Sequence, residues 1–439
     1  MRSRVAPRRR SGAAALLLGF GAVAFALLLA AAARHRPALI DALHGVVDPV
    51  AHYAPLLEPD GNFASCQRHC LARNHRRAAA RIDDEACSGA AAGAWCAGWY
   101  DAATVHEFCE ALCRTQFPAD CAGARFLVLM NEYHTGIGSD MHMRTVALTM
   151  ALSEGRTLAY SPFVVSHWTH AHDEHPPCAR GSLDCYYHPI TSCSLPPNWN
   201  ASAVAAVGRA GAEPDSQFLT VFLSWTQYGQ YNETTRPRLG SARLDAMPQP
   251  WFMAQYVAFL YRPNAHMLAS VVLPRAAETF AKHPRAASRL LPERFLSVFI
   301  RRGDKYKEAK LRDPDEYWRR VAELCATLDI GDVYVASDSY GALDDALALA
   351  ASTTPQLRVY FMNATRDAKM KLGMGRVNMM SRFWRQPRVR ELMNSALTDF
   401  FIARHATAWI GTLSSNVCRA QNEMRMANGR FGSTYASLD

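Results

Sequence analysis

The apolar stretch Phe295-Leu-Ser-Val-Phe-Ile300 ends abruptly in Arg301-Arg302-Gly303-Asp304-Lys305. An uncharged, mostly apolar run bounded by charges reads as a strand covered on both faces in a parallel sheet. The pattern then alternates. Asp313-Pro-Asp-Glu316 puts Asp at an N-cap, Pro at N1 and Glu at N3, which predicts a helix over about 314–327. Val333-Tyr-Val-Ala336 predicts a strand ending at Ser337-Asp338-Ser339, with an alanine-rich helix to about 351 and a strand at 357–362. From Pro387, the residues Val389, Leu392, Met393, Leu397, Phe400 and Phe401 recur at helical spacing, with Asp399 on the flank of that stripe. Trp409-Ile-Gly411 predicts the last strand. The turn Thr412-Leu-Ser-Ser415 then leads into a final helix.

The same alternation opens earlier. Phe126-Leu-Val-Leu-Met130 predicts a buried strand, followed by the turn Asn131-Glu-Tyr-His-Thr-Gly-Ile-Gly138. Ser139 or Asp140 then caps a helix carrying Met141, Val146, Ala147, Met150 and Ala151, and 155–160 is the next strand. Strand, Gly136-x-Gly138 turn, helix, strand is a nucleotide-fold opening, although such glycines more often only permit a tight turn. Residues 161–245 are irregular and rich in aromatic and histidine residues, among them His167, His170, His172 and His175. A metal reading of those histidines competes with a disulfide-pinned loop beside Cys178 and Cys185. Helices are expected over 251–261, stopping before Pro263, and over 264–282.

The N-terminal hydropathy is of another kind. Residues 12–33 carry no charge, Arg2, Arg4, Arg8, Arg9 and Arg10 precede them, and Arg34 follows. About 20 apolar residues span a bilayer, and the arginine excess holds the preceding end in the cytosol. A cleaved signal peptide has an apolar region of about 7–15 residues, so this segment reads as a retained anchor. Those five arginines also supply five of the formal net charge of +9, and the remaining +4 over the rest of the 439 residues is no nucleic-acid signature. Twelve cysteines suit an oxidising lumen. Cys66/Cys70 and Cys109/Cys113 each place two thiols on one helix face, so two helices could be laced together. A zinc site with His69 and His106 is the alternative, against which the spacings argue. Sequons at Asn200, Asn232 and Asn363 agree with a luminal address.

The whole is an α/β chain of two Rossmann-like halves behind a transmembrane helix and a small cysteine-rich segment. Its expected divisions are a cytosolic tail (1–10), a transmembrane signal anchor (11–33), a stem (34–60), a cysteine-rich segment (61–121), a first, acceptor-side Rossmann-like domain (122–290), a second, donor-binding one (291–428) and a tail (429–439). Ligands of open α/β sheets lie at the carboxyl ends of the strands. Arg301, Arg302 and Lys305 there suit a diphosphate, because guanidinium forks grip phosphate and Gly303 lets the backbone come close.

At Ile300-Arg-Arg-Gly-Asp-Lys305 the chain resembles the α1,6-fucosyltransferases and the protein O-fucosyltransferases, where the former read V-R-R-T-D-K. Glu316-Tyr317 resembles the family's E-E-Y, Val335-Ala-Ser-Asp338 its L-A-T-D, and Leu413-Ser-Ser-Asn-Val-Cys-Arg419 its F-S-S-Q-V-C-R. Asp399 lies at the family's distance upstream of that last motif. The stretch W-F-M-A-Q-Y-V-A-F-L-Y-R-P from Trp251 to Pro263, and Gly136-x-Gly138 with His142, add to the resemblance, which covers about 131–419.

The resemblance implies a GT-B enzyme that transfers fucose from GDP-fucose with inversion and without a metal, on the luminal side of the Golgi membrane. It implies a phosphate grip by Arg301, Arg302 and Lys305, and donor contacts at Gly136, Gly138, Tyr317, Asp338, Asp399, Ser414 and Ser415. The candidate base is Glu308, one residue nearer the lysine than the family's glutamate. Further departures are Phe299 in place of a histidine, no length for a C-terminal SH3 domain, and the cysteine-rich segment in place of a coiled-coil stem. The partners expected are GDP-fucose, a glycan or glycoprotein acceptor and the membrane. Acceptor, linkage (α1,6 on N-glycans among them) and self-association are left open. The rivals are a transferase for another nucleotide sugar and a binding protein of the same fold without catalysis.

Overall fold

The computed structural model describes residues 62–68, 70–71, 102–130, 137–161, 183–197, 199, 203–205, 216–221, 237–281, 290–302, 310–364, 387–428 and 435–439. They form an α/β molecule with two all-parallel sheets. The first takes β1 (Phe126–Leu129), β2 (Thr157–Tyr160), β3 (Ala203–Ala205) and β4 (Phe218–Val221) in the order β2-β1-β4-β3. The second takes β5 (Leu296–Ile300), β6 (Asp332–Ser337), β7 (Arg358–Tyr360), β8 (Ala408–Gly411) and β9 (Tyr435–Ser437) in the order β7-β6-β5-β8-β9.

The run from Phe295 behaves as its pattern requires. All five residues of β5 are buried, and the strand is central. Side chains alternate across the pleat. Leu296, Val298 and Ile300 face α5 (Pro314–Leu328) and α6 (Tyr340–Thr353), while Phe295 and Phe299 join the larger core on the other face. Asp313 and Glu316 form the expected capping box on α5, and Ser339 Oγ accepts from Ala342 N to cap α6. The predicted long helix is α7 (Pro387–His405), and the last is α8 (Asn416–Ala427).

In the first half, α1 (Ala102–Gln116) is laced to the helical residues around Cys66 and Cys70 by the disulfides Cys66–Cys113 and Cys70–Cys109. The two laced helices are the arrangement the cysteine spacing suggests. A third disulfide, Cys121–Cys193, staples this region to the irregular stretch after β2, and Cys185 is also bridged. The helices α2 (Ile137–Ser153) and α3 (Gln249–Leu260) follow. Every residue of α3 from Trp251 onward is buried, Gln255 being the one amide among them, so the helix runs through the molecule's interior.

Four expectations need correction. α2 begins at Ile137, before Ser139 and Asp140, because Gly138 must come within contact of α8 and Ser139 is turned to that helix instead of capping its own. The helix expected over 264–282 opens into a π-turn at Met267–Val272 before α4 (Leu273–Phe280). Pro274 has no N–H to donate and crowds the carbonyl four residues back, and a wider turn relieves both. The irregular stretch 161–245 contains β3 and β4, and the expected tail contains β9, which extends the second sheet parallel to β8.

The halves are joined by helices and share one core. α2, α3, α7 and α8 contribute to a single apolar cluster that includes Met141, Trp251, Phe401, Trp409 and Cys418. Among the described residues no helix is long and apolar enough to cross a membrane, and the expected anchor at 11–33 lies outside them. The histidines at 167, 170, 172 and 175 and the three sequons Asn200, Asn232 and Asn363 differ in placement. Only Asn363 falls on described residues.

Candidate functional site

Three strand ends and two helix starts meet at the carboxyl edge of the second sheet. β5 delivers Arg301 and Arg302 there, each partly exposed. β6 delivers Asp338, whose Oδ1 accepts from the Arg302 main-chain N–H at 2.8 Å and whose other oxygen pairs with the Arg301 guanidinium. Ser337 Oγ donates to the Ile300 carbonyl at 2.7 Å and accepts from Ser339 N at 3.1 Å, so the two strand ends are stitched together. Asp338 therefore orients Arg301 and part-neutralises it.

Tyr317 supports this edge from within the core. Its ring is buried, and its hydroxyl meets the Thr412 side chain and the Arg301 main chain. Burial pushes that phenol well up, so it stays protonated and neutral. The Cys418 thiol is buried at 3.9 Å from Thr412 Oγ1, and burial raises it too.

The turn after β8 carries Leu413, Ser414 and Ser415 into the N-terminus of α8. Ser415 is the N-cap and is buried, whereas Ser414 is exposed. This places main-chain N–H groups and the positive end of a twelve-residue helix at the same edge as Arg301. Opposite lies the start of α2. A Cβ on Gly138 would fall 2.4 Å from Asn416 C and Val417 N, so only glycine permits this approach. Asn416 Nδ2 donates to Ser139 Oγ at 2.6 Å, and His142 Nε2 meets Glu423 Oε2 at 2.9 Å in a buried pair across the same seam. Arg419, in the first turn of α8, donates to Asn416 Oδ1.

Of the residues singled out in the sequence, Arg301, Arg302, Asp338, Ser414, Ser415 and Gly138 come together here. Tyr317 lies beneath them. Asp399 is half-buried on α7 and accepts from Tyr334 OH, in the middle of β6. Tyr334 is three residues short of Ser337, roughly 10 Å along the strand. Gly136, Lys305 and Glu308 lie outside the described residues. Sequence reasoning gave no role to Asn416, Glu423 or Asp439. Asn416 lies within the Leu413–Arg419 motif, so the signal was on hand. Glu423 and Asp439 had none, since their partners are distant in sequence. Among the described residues no group of three or more His, Cys, Asp or Glu could hold a metal ion.

No family model and no curated protein sequence matches the chain. Solved structures similar to it include a mutant of FUT1 from Arabidopsis thaliana in complex with GDP, at 10% identity and a TM-score of 0.40, covering 83% of this chain and 77% of that one. POFUT1 in complex with GDP-fucose is similar at 10% identity and a TM-score of 0.40, covering 73% of this chain and 98% of that one. The fucosyltransferase NodZ from Bradyrhizobium is similar at 13% identity and a TM-score of 0.33, covering 68% of this chain and 92% of that one.

Proposed function

We propose that the chain is a GT-B glycosyltransferase that moves fucose from GDP-fucose to a hydroxyl of a glycan or glycoprotein, with inversion and without a metal. One observation carries the reading: Arg301 and Arg302 leave the central strand at the sheet's carboxyl edge, backed by Asp338 and set beside the Ser414–Ser415 turn. Paired guanidiniums beside a helix N-terminus suit a diphosphate that gains charge as its sugar leaves. In the reaction, the acceptor oxygen bonds to the fucose anomeric carbon while that carbon's bond to the diphosphate breaks. Arg301, with Lys305, takes up the charge on the departing GDP, and Glu308 takes the acceptor proton.

Asp338 and Tyr317 serve donor binding through Arg301, one from its side chain and one from its main chain. Gly138 brings the opposite helix start toward the diphosphate, and Gly136 is assigned to donor binding as well. Asp399 is assigned to the guanosine end, where its carboxylate would accept from guanine or ribose. The finer reading is a type II Golgi membrane enzyme acting on glycoproteins, with α1,6-fucosylation of N-glycans as the first linkage to assay. It rests on the arginine-flanked segment 12–33 and on the resemblance of the motifs.

The test is a binding screen of the full-length chain against GDP-, UDP- and CMP-sugars, followed by transfer assays with the sugar that binds. Preference for GDP-fucose and transfer to a glycan acceptor are expected. Equal affinity for GDP and UDP would remove the guanosine assignment, and binding without transfer to any acceptor would leave a sugar-nucleotide-binding protein.

A further inference from the structure

The strand β9 brings a carboxylate onto the turn just assigned to the diphosphate. Its register is set without that carboxylate. β9 pairs with β8 in parallel, Leu438 N donates to the Gly411 carbonyl at 3.0 Å, and Leu413 N donates to Ser437 Oγ at 3.1 Å. Ala436 and Leu438 pack against the second core. Asp439 follows, exposed, and its Oδ2 accepts from Ser414 N at 2.5 Å while its Oδ1 accepts from Ser414 Oγ at 2.9 Å. Ser437 Oγ is 3.3 Å from the same Oδ2.

We propose that the Asp439 side chain is a built-in anionic competitor, held by the Ser414 donors that the terminal phosphate of the donor's diphosphate would use. This inference rests on the donor reading above. The location favours an anion, one residue ahead of the N-cap of α8 and at the positive end of that helix. The partners holding Asp439 there are neutral serine groups at an exposed position, which gives a modest grip. The donor's β-phosphate brings a charge and two free oxygens and reaches Arg301 as well. On GDP, once the sugar has left, it carries a third free oxygen and more charge, so it displaces the carboxylate and lets the Asp439 side chain swing to solvent. The consequence is a donor site whose affinity is set partly by Asp439, and whose emptying after transfer is assisted when Asp439 returns to Ser414.

The experiment is calorimetric titration of GDP and GMP into the full-length chain and into Asp439→Asn, with Asp439→Ala as a second variant. Asparagine keeps the size and removes the charge. Expected are a GDP dissociation constant lower by about three- to ten-fold in both variants, the range for losing one exposed charged competitor, and an unchanged constant for GMP, which lacks the terminal phosphate. Melting temperatures close to wild type would confirm that β9 stays docked through its main-chain bonds. Wild type binding GDP with no gain, or a loss, in the variants would overturn this inference and leave the donor reading standing. An equal gain for GMP would also overturn it, since the charge would then act on the nucleotide at large. If neither wild type nor variants bind GDP, the donor reading falls and this inference with it.

Discussion

At the scale of single residues the proposed donor site turns on one guanidinium. Arg301 follows a strand with no exposed residue, so its backbone is fixed, and Asp338 and the Tyr317 hydroxyl hold its two ends. Arg301→Lys keeps the charge and loses the fork. Turnover should fall by about 10²–10³, as when one preorganised donor is removed, with the melting temperature unchanged. A lysine variant that turns over like wild type would place the phosphate grip elsewhere. Asp399 has a separate role to test. Asp399→Ala should weaken GDP binding by about 1.5–3 kcal/mol, the worth of a hydrogen bond to a charged group, and should leave pyrophosphate binding alone. Equal losses for GDP and pyrophosphate would mean that Asp399 acts only through the Tyr334 contact and the packing of α7.

At the scale of elements the decisive contact is the meeting of two helix starts, α2 and α8. Gly138 faces rigid backbone there, and no side chain can yield to an added methyl. Gly138→Ala should destabilise the chain by about 1–3 kcal/mol, the usual cost of overpacking, and should lower nucleotide affinity as the two N-termini part. Gly341, in the first turn of α6, has nothing nearer than 4.0 Å to its would-be Cβ. Gly341→Ala should therefore be neutral or stabilising by up to about 1 kcal/mol. Denaturant unfolding of the two variants side by side checks both statements. A tolerated Gly138→Ala would show that the seam can open without cost.

For the whole molecule, stability has a covalent and an alkaline-sensitive part. The bridges Cys66–Cys113 and Cys70–Cys109 close loops of 47 and 39 residues between the same two helices. Replacing Cys70 and Cys109 together by alanine should cost about 2–4 kcal/mol, read as a lower midpoint in urea. The free thiol of Cys325 is buried, and burial with Asp332 nearby pushes it from 9.0 up to about 12. Between those values the folded chain keeps a proton that the unfolded chain has lost. Its contribution is complete below about pH 9 and is lost as pH rises toward 12, with a slope of up to about 1.4 kcal/mol per pH unit. Tyr360, raised from 10.0 to about 12, acts in the same direction above pH 10. Cys325→Ala should flatten the fall in melting temperature between about pH 9 and 11. An unchanged slope would assign the alkaline loss to other groups.

What the sequence by itself determined is local. The apolar run into Arg301, the Asp313–Glu316 capping box, the Ser339 cap and the helical stripe from Pro387 each depend on neighbours within a few residues, and each was legible. The same holds for the carboxyl-edge position of Arg301, Asp338 and Ser414, which follows once the strands are known. β4 went unread inside the stretch 161–245, although Phe218-Leu-Thr-Val221 is an apolar, β-branched run. The tertiary structure alone decided the rest. Which cysteines pair, how closely α2 meets α8, where Asp399 points and what Asp439 touches are settled by residues up to hundreds of positions apart. β9 is three residues long with a single buried neighbour strand, and it exists because β8 offers it an open edge. Periodicity reports which face of an element is apolar, whereas the partner that covers that face is chosen by packing of the whole chain.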